Sequence, residues 1–351
     1  VLLFYQGQFQ QAERYFEKAQ LIEDDSYTRS TTELILSKIV NENAKQFRAH
    51  YLARWQLRYL AALNFLAQQN VQSALVELRR LSRSCRIKKD PFEEKIIDQA
   101  RNDYLLHTGV LMCLLGREEE GKVDLRYLEK NNYEFPDFLI KQAWFWNYEK
   151  STEEPRESSL SLFPQNEKQK LRINFSLKGH GPTKKEQRLS ITMLGVLPLI
   201  QAYMDGKDGA SLNQVNDIAT GVLGKRLIEI AYPVMNSVTS YTTNIRSLDL
   251  DFGQLYHKSW DAQKNRLIAQ SALRIISKVY ASYQIEHAIE KNVEGPWGQL
   301  LGNIGRLALW KTEQADLRQI LFLPSLIGLD WSWEEKQKKD VQVFIKRDDL
   351  F

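Results

Sequence analysis

Residues Val1–Asp25, VLLFYQGQFQQAERYFEKAQLIEDD, constrain the fold more than any other stretch of the chain. Phe9, Ala12, Phe16 and Ala19 recur at three- and four-residue intervals, which places them on one stripe of a helix. Tyr5 and Gly7 stand just ahead of that stripe. A glycine there ends a preceding helix and lets the chain reverse, and Ala12 is small enough for the two helices to touch. A helical hairpin of this kind has an apolar face that it cannot cover alone, so it must stack on neighbours. Only a few residues precede Gly7, against a usual first helix of ~12 residues. The expectation is therefore a chain that enters such a unit already in progress, with a targeting segment upstream of Val1.

The same pattern recurs downstream. Apolar periodicity predicts helices over Tyr27–Glu42, Phe47–Leu66 and Val71–Ser84, with a turn at Gln68–Asn70. Ala61, Ala62, Phe65, Leu66, Ala74 and Leu78 form the facing surfaces of that hairpin. A third hairpin pairs Ile96–Leu115 with Glu118–Lys130 across Gly116, and Phe138–Tyr148 adds one more helix. Turns near Gly7, Asn70 and Gly116 are spaced more widely than the ~34 residues of regular tetratricopeptide (TPR) arrays. The reading for residues 1–150 is thus a degenerate TPR-like α-solenoid, a class that offers a concave face to other proteins.

Residues 151–170 crowd serine, proline, threonine and charge, the composition of a linker. Beyond it the texture changes, and residues 171–351 read as a smaller α+β domain. Leu171–Lys178 alternates apolar and polar residues like a half-buried strand. Gly179–Pro182 is a turn, and Arg188–Leu194 a second strand, paired with the first as a hairpin or lying beside it. Helices are expected over Ser211–Tyr232, with Ser211 as N-cap and Ile218, Val222 and Ile230 on the apolar face, then Asp261–Lys291 and Gly298–Leu309. Leu317–Leu323 and Val341–Lys346 complete a modest sheet. The fold class is mainly α.

Composition excludes several functions. The chain has 351 residues and a net charge of only +4, spread over both halves, so a dedicated nucleic-acid binder is not expected. Cys85 and Cys113 lie in different helices at no metal-ligand spacing and read as buried small apolar side chains, with a disulfide between them left open. The longest apolar runs, Ile191–Ala202 and Ile320–Leu329, contain proline and are too short to span a bilayer. Ala219–Arg226 nearly matches a phosphate-binding loop, but it lacks the first glycine and the closing Ser or Thr and falls inside an expected helix. His287 and Glu290 share a helix face without a third ligand. No nucleophile elbow is present, and no serine or cysteine pairs recognisably with a histidine. The sequence therefore assigns no catalytic residue, no metal and no cofactor.

Two features are candidates for partner binding. Arg79, Arg80, Arg83, Arg86, Lys88 and Lys89 form a basic run at a helix C-terminus, where positive charge is favoured by the helix dipole even without a ligand. Arg79 and Arg83 are its candidate contact residues for an anionic surface. The loop Gly179, Gly181, Pro182, Lys184 and Lys185 has a tightly specified backbone path, suited to a strand connection or to docking. Trp144 and Trp146 read as packing residues.

Three stretches carry a resemblance: YQGQFQQAERYFEKAQLIEDD with its continuation TRSTTELILSKIVNEN, YLAALNFLAQQNVQSALVELRRL from Tyr59, and GHGPTKKEQRLSI from Gly179 with the later ADLRQILFLP. Together they resemble an uncharacterised family of TPR-containing lipoproteins of Gram-negative bacteria. Asp316, Arg318, Leu323 and Pro324 fit its Asp-x-Arg stretch before Leu-Pro. Ile320–Leu321 and Lys45–Arg54 depart from its pattern, as in a distant member. The resemblance implies a location in the cell envelope, on the periplasmic side of the outer membrane. It also implies a non-enzymatic scaffolding role with protein partners, and a membrane tether upstream of Val1. Two alternatives stay open: a repeated, homo-oligomeric subunit of a larger envelope assembly, and an enzyme acting on cell-wall polymers.

Overall fold

A computed structural model of the chain describes residues 1–25, 49–86, 94–136, 139, 169–204, 227–236, 247–292, 315, 317–320, 322–335 and 341–348. These are mostly helical, with a smaller strand-containing region.

The helical part begins with α1 (Leu2–Tyr5) and α2 (Phe9–Asp25), followed by α3 (Tyr51–Ala67) and α4 (Val71–Arg86), then α5 (Glu94–Leu114) and α6 (Glu118–Lys130). Within each pair the helices pack on one another, and α2 also packs on α3 and α4 on α5. One local device makes all three turns. Gly7 (φ 77°), Gln69 (φ 59°) and Gly116 (φ 77°) adopt the left-handed conformation. Each donates its N–H three residues back, to Phe4, Leu66 and Cys113. The next residue donates five back, from Gln8 to Leu3, Asn70 to Phe65 and Arg117 to Met112, at 2.9 Å each. This is the Schellman pattern, which satisfies carbonyls that a helix end leaves open. The residue that closes the turn then opens the next helix: Gln8, Asn70 and Arg117 accept from Ala12, Ala74 and Gly121. Asn70 adds a side-chain cap, its Oδ1 accepting from Ser73 N at 3.1 Å. Asn132 (φ 55°) ends α6 with the same two bonds, to Glu129 and Leu128.

Close approach of α5 and α6 depends on glycine. A Cβ on Gly121 would run into Cys113 Sγ and the Gly109 carbonyl, and one on Gly109 would lie 2.9 Å from Leu125. Beneath this contact the buried carboxylate of Asp124 accepts from Ser82 Oγ at 2.7 Å, Thr108 Oγ1 at 3.0 Å and Arg86. Three helices are thereby tied to one acidic side chain whose burial is compensated by charge and hydrogen bonds. Cys85 and Cys113 are buried free thiols.

The strand-containing region holds β1 (Gln169–His180), β2 (Lys184–Thr192), α7 (Met193–Met204), β3 (Leu227–Met235), β4 (Leu248–Asp251), α8 (Phe252–Asn292), β5 (Pro324–Glu335) and β6 (Val341–Asp348). A four-stranded sheet has the order β4-β5-β1-β6, with β1 antiparallel to β5 and parallel to β6. A separate two-stranded sheet pairs β2 with β3. In β1, Leu171, Ile173, Phe175 and Leu177 are buried while Arg172, Asn174, Ser176 and Lys178 are half-buried, the alternation expected of a strand with one core face.

One hydrophobic cluster takes in the helical pairs, this face of the four-stranded sheet and Phe252, Leu255, Tyr256 and Trp260 of α8. A second joins α7 (Val196, Ile200), β3 (Ile230, Tyr232) and the middle of α8 (Ile268, Ala269, Ala272, Ile275, Ile276). The long helix thus serves both.

Several expectations need correction. β1 and β2 are neither a hairpin nor neighbours, because the chain leaves the first sheet at Gly181 and enters the second at Lys184. Leu227–Tyr232 ends no helix: it lies in β3, whose Ile230 and Tyr232 are buried in one cluster with α8. Ser211, Ile218, Val222 and the near-match Ala219–Arg226 lie outside the described residues. The described part of Leu317–Leu323 is not a strand; pairing starts at Pro324, since its register partners lie in β1. The second strand stops at Thr192, whose Oγ1 accepts from Gly195 N at 3.2 Å and starts α7 at Met193. The long helix begins at Phe252, ahead of Asp261, and β1 begins at Gln169, inside the expected linker. Tyr27–Glu42, Gly298–Leu309, Trp144, Trp146, Lys88 and Lys89 fall outside the described residues. So does Phe138–Tyr148, apart from Leu139.

Candidate functional site

The glycine-proline loop is anchored at a junction of four segments. Gly179, the last residue but one of β1, is in the left-handed conformation (φ 61°), and Gly181 N donates to the Leu323 carbonyl at 2.7 Å. A Cβ on Gly181 would lie 3.0 Å from that carbonyl and 3.2 Å from the Phe252 ring, so the backbone needs glycine to pass. Pro182 is half-buried beside it. Lys184 is engaged at both ends: its N–H donates to Gln319 Oε1 at 2.9 Å and its Nζ to the Arg318 carbonyl at 2.9 Å. The same Nζ lies 4.3 Å from the centre of the Trp260 ring. Lys185, the next residue, is exposed.

Trp260 belongs to an aromatic ladder that the turn of an α-helix creates from Phe252, Tyr256 and Trp260, four residues apart. Phe252 and Tyr256 stack at 5.1 Å, and Tyr256 meets the His50 ring edge-on at 5.0 Å. His50 is the N-cap of α3; its Nδ1 accepts from Leu52 N at 3.4 Å. Its Nε2 faces Ser259 Oγ at 3.3 Å and the Gln263 amide at 3.1 Å, while Tyr51 O–H lies 3.1 Å from the same Ser259 oxygen. Burial, and then the charges of Lys184 and Arg54, push the His50 pKa down to about 3, so the imidazole is neutral. Both ring nitrogens face N–H donors, the Leu52 amide at Nδ1 and the Gln263 side-chain amide at Nε2. Ser259, fully buried, lies beside the ring. Sequence spacing did not suggest this Ser–His contact, which joins the cap of α3 to α8.

The basic run divides into residues with different fates. Arg79 forms a two-pronged pair with Glu120 of α6, at 2.5 and 2.8 Å. Arg86 reaches Asp124 and lies over the Tyr127 ring. Arg80 donates to Glu77 at 2.7 Å, and Glu77, buried, also accepts from Gln20 of α2 at 2.9 Å. Arg83 is exposed on the wall of a groove of about 500 Å³ between α2, α3 and α4, lined by Glu17, Gln20, Leu21, Arg58, Arg80, Arg83 and Ser84. The two candidate sets are anchored on different elements: Arg79 and Arg83 on α4, the loop against α8 and the segment before β5.

Among the described residues no group of three or more His, Cys, Asp or Glu side chains gathers as a metal site, and no helix is long and apolar enough to cross a membrane. His287 and Glu290 lie within α8. Arg58 and the His50 cap were not singled out by sequence. Arg58 follows Arg54 by four residues in α3, and only the fold brings it beside α4. The Phe252–Tyr256–Trp260 spacing was the one legible signal for the His50 cluster. Comparison with protein families, curated proteins and solved structures gives no match.

Proposed function

We propose that this protein is a non-enzymatic scaffold of the cell envelope that holds a partner protein on a TPR-like helical surface. The observation that carries the reading is the repetition of one turn design at Gly7, Gln69 and Gly116, each closing a helical pair that packs on the next. Units of that kind form a continuous core by stacking and leave a concave groove between successive pairs. The groove between α2, α3 and α4 fits that position. The family resemblance of the three sequence stretches supports a place on the periplasmic side of the outer membrane.

The test is isolation of the tagged protein from gently solubilised envelope of its native host. A defined envelope protein recovered in fixed stoichiometry is the expected result. Recovery of this chain alone would overturn the reading.

A further inference from the structure

We propose that the groove between α2, α3 and α4 takes an acidic, carboxylate-bearing segment of a partner protein; the assignment rests on the scaffold reading. Three arginines from two helices converge there: Arg58 of α3 and Arg80 and Arg83 of α4. Arg83 lies in the last turn of α4, where the helix dipole also favours a basic residue, and Arg58 reaches the groove from the neighbouring helix.

Arg80 and Arg83 stand three residues apart and so share a face. Glu77, one turn earlier, is buried and takes Arg80 and Gln20 as its donors. It fixes the Arg80 guanidinium at the groove wall while using one of five N–H donors. Arg83 makes no hydrogen bond or ion pair among the described residues. A guanidinium fork matches a carboxylate in two-point geometry, which favours carboxylate ligands over a diffuse charge.

Two features of the rim select a peptide. Leu21 of α2 is 67% exposed beside the arginines, a seat for an apolar side chain next to the acidic ones. Glu17 lies on the same lip and repels a uniformly charged polyanion. A concave site also excludes a flat bilayer.

The test uses the full chain and a labelled Gly/Ser peptide carrying two glutamates that flank one leucine, followed by fluorescence anisotropy. Saturable, salt-sensitive binding is expected, weakened about tenfold in Arg83→Glu and unchanged in Arg126→Glu, which reverses an exposed charge on α6. Arg58→Gln provides a second variant, and circular dichroism checks that each folds. Equal binding by the Arg83 and Arg126 variants would overturn the proposal. So would absence of saturable binding, or tighter binding of oligothymidylate or phosphatidylglycerol vesicles. Failure here with a stoichiometric partner still recovered from the envelope removes the acidic-segment assignment and leaves the scaffold. Peptide binding by a chain recovered alone removes the scaffold instead.

Discussion

Lys184 Nζ sits 4.3 Å from the centre of the Trp260 indole while it donates to the Arg318 carbonyl. One cation thereby ties the glycine-proline loop to α8 and to the segment that leads into β5. Lys185, adjacent in sequence and identical in chemistry, is exposed. Lys184→Met should cost about 1–2 kcal/mol of stability through the lost ring contact and hydrogen bond. Lys185→Met should change stability by less than about 0.5 kcal/mol. Urea unfolding of the two variants compares them directly.

The helical turns set a second expectation. Gln69 holds a left-handed conformation that Gly7 and Gly116 adopt without a Cβ penalty. Gln69→Gly should therefore raise stability by up to about 1 kcal/mol, and Gly116→Ala should lower it by a similar amount. Open space surrounds Gly116, so its cost comes from the backbone alone. A thermal melt in which both variants shift downward would contradict the assignment of these turns.

Packing between α5 and α6 makes a stronger claim. Gly121→Ala places a methyl group against Cys113 and the Gly109 backbone, which cannot both move away. A loss of about 2 kcal/mol or more is expected. Asp124→Ala should cost about 3 kcal/mol, because Ser82, Thr108 and Arg86 lose a shared acceptor. Chemical denaturation measures both.

Acid should weaken the fold through its buried histidines. Burial pushes His50 and His107 down to about 3, from about 6.5 when unfolded. As pH falls below 6.5 the unfolded chain takes up two protons that the folded chain refuses, so stability drops. Asp103 works the other way. Burial raises it to about 6, so the folded chain keeps a proton that the unfolded chain releases above about 4. Two histidines outweigh one aspartate, and these groups together lower stability by about 1.4 kcal/mol per unit between pH 6 and pH 4. His107→Gln should flatten that slope. By NMR, the His50 and His107 ring protons should show no titration above about pH 4.

Local chemistry made the helical pairs legible. Gly7 and Gly116 mark left-handed turns because only glycine occupies them freely, and Ala12, Ala61 and Ala74 mark helix faces because their spacing follows the helical period. The sheet was less legible because its pairing is remote. β1 finds β5 and β6 across nearly half the chain, and nothing near Leu171 encodes that choice. Pro324 and Gly328 read as strand breakers, yet Pro324 opens β5, and at Gly328 a Cβ would lie 2.9 Å from Asp249 Oδ1. Leu227–Met235 is apolar at nearly every position, a pattern that fits a buried helix or strand until α8 lies across it. At the candidate site, Arg83 and Lys184 were legible as charge, but their surroundings were not. Burial beside Trp260 and exposure beside Arg58 are products of tertiary contact.

Site-specific photocrosslinking in the native host tests the scaffold most directly. A photoreactive amino acid replaces Ser84 in the groove or Lys264 on the exposed side of α8. A discrete crosslink to one envelope protein is expected from position 84 and none from position 264. No crosslink at either position, or the same pattern from both, would contradict the scaffold.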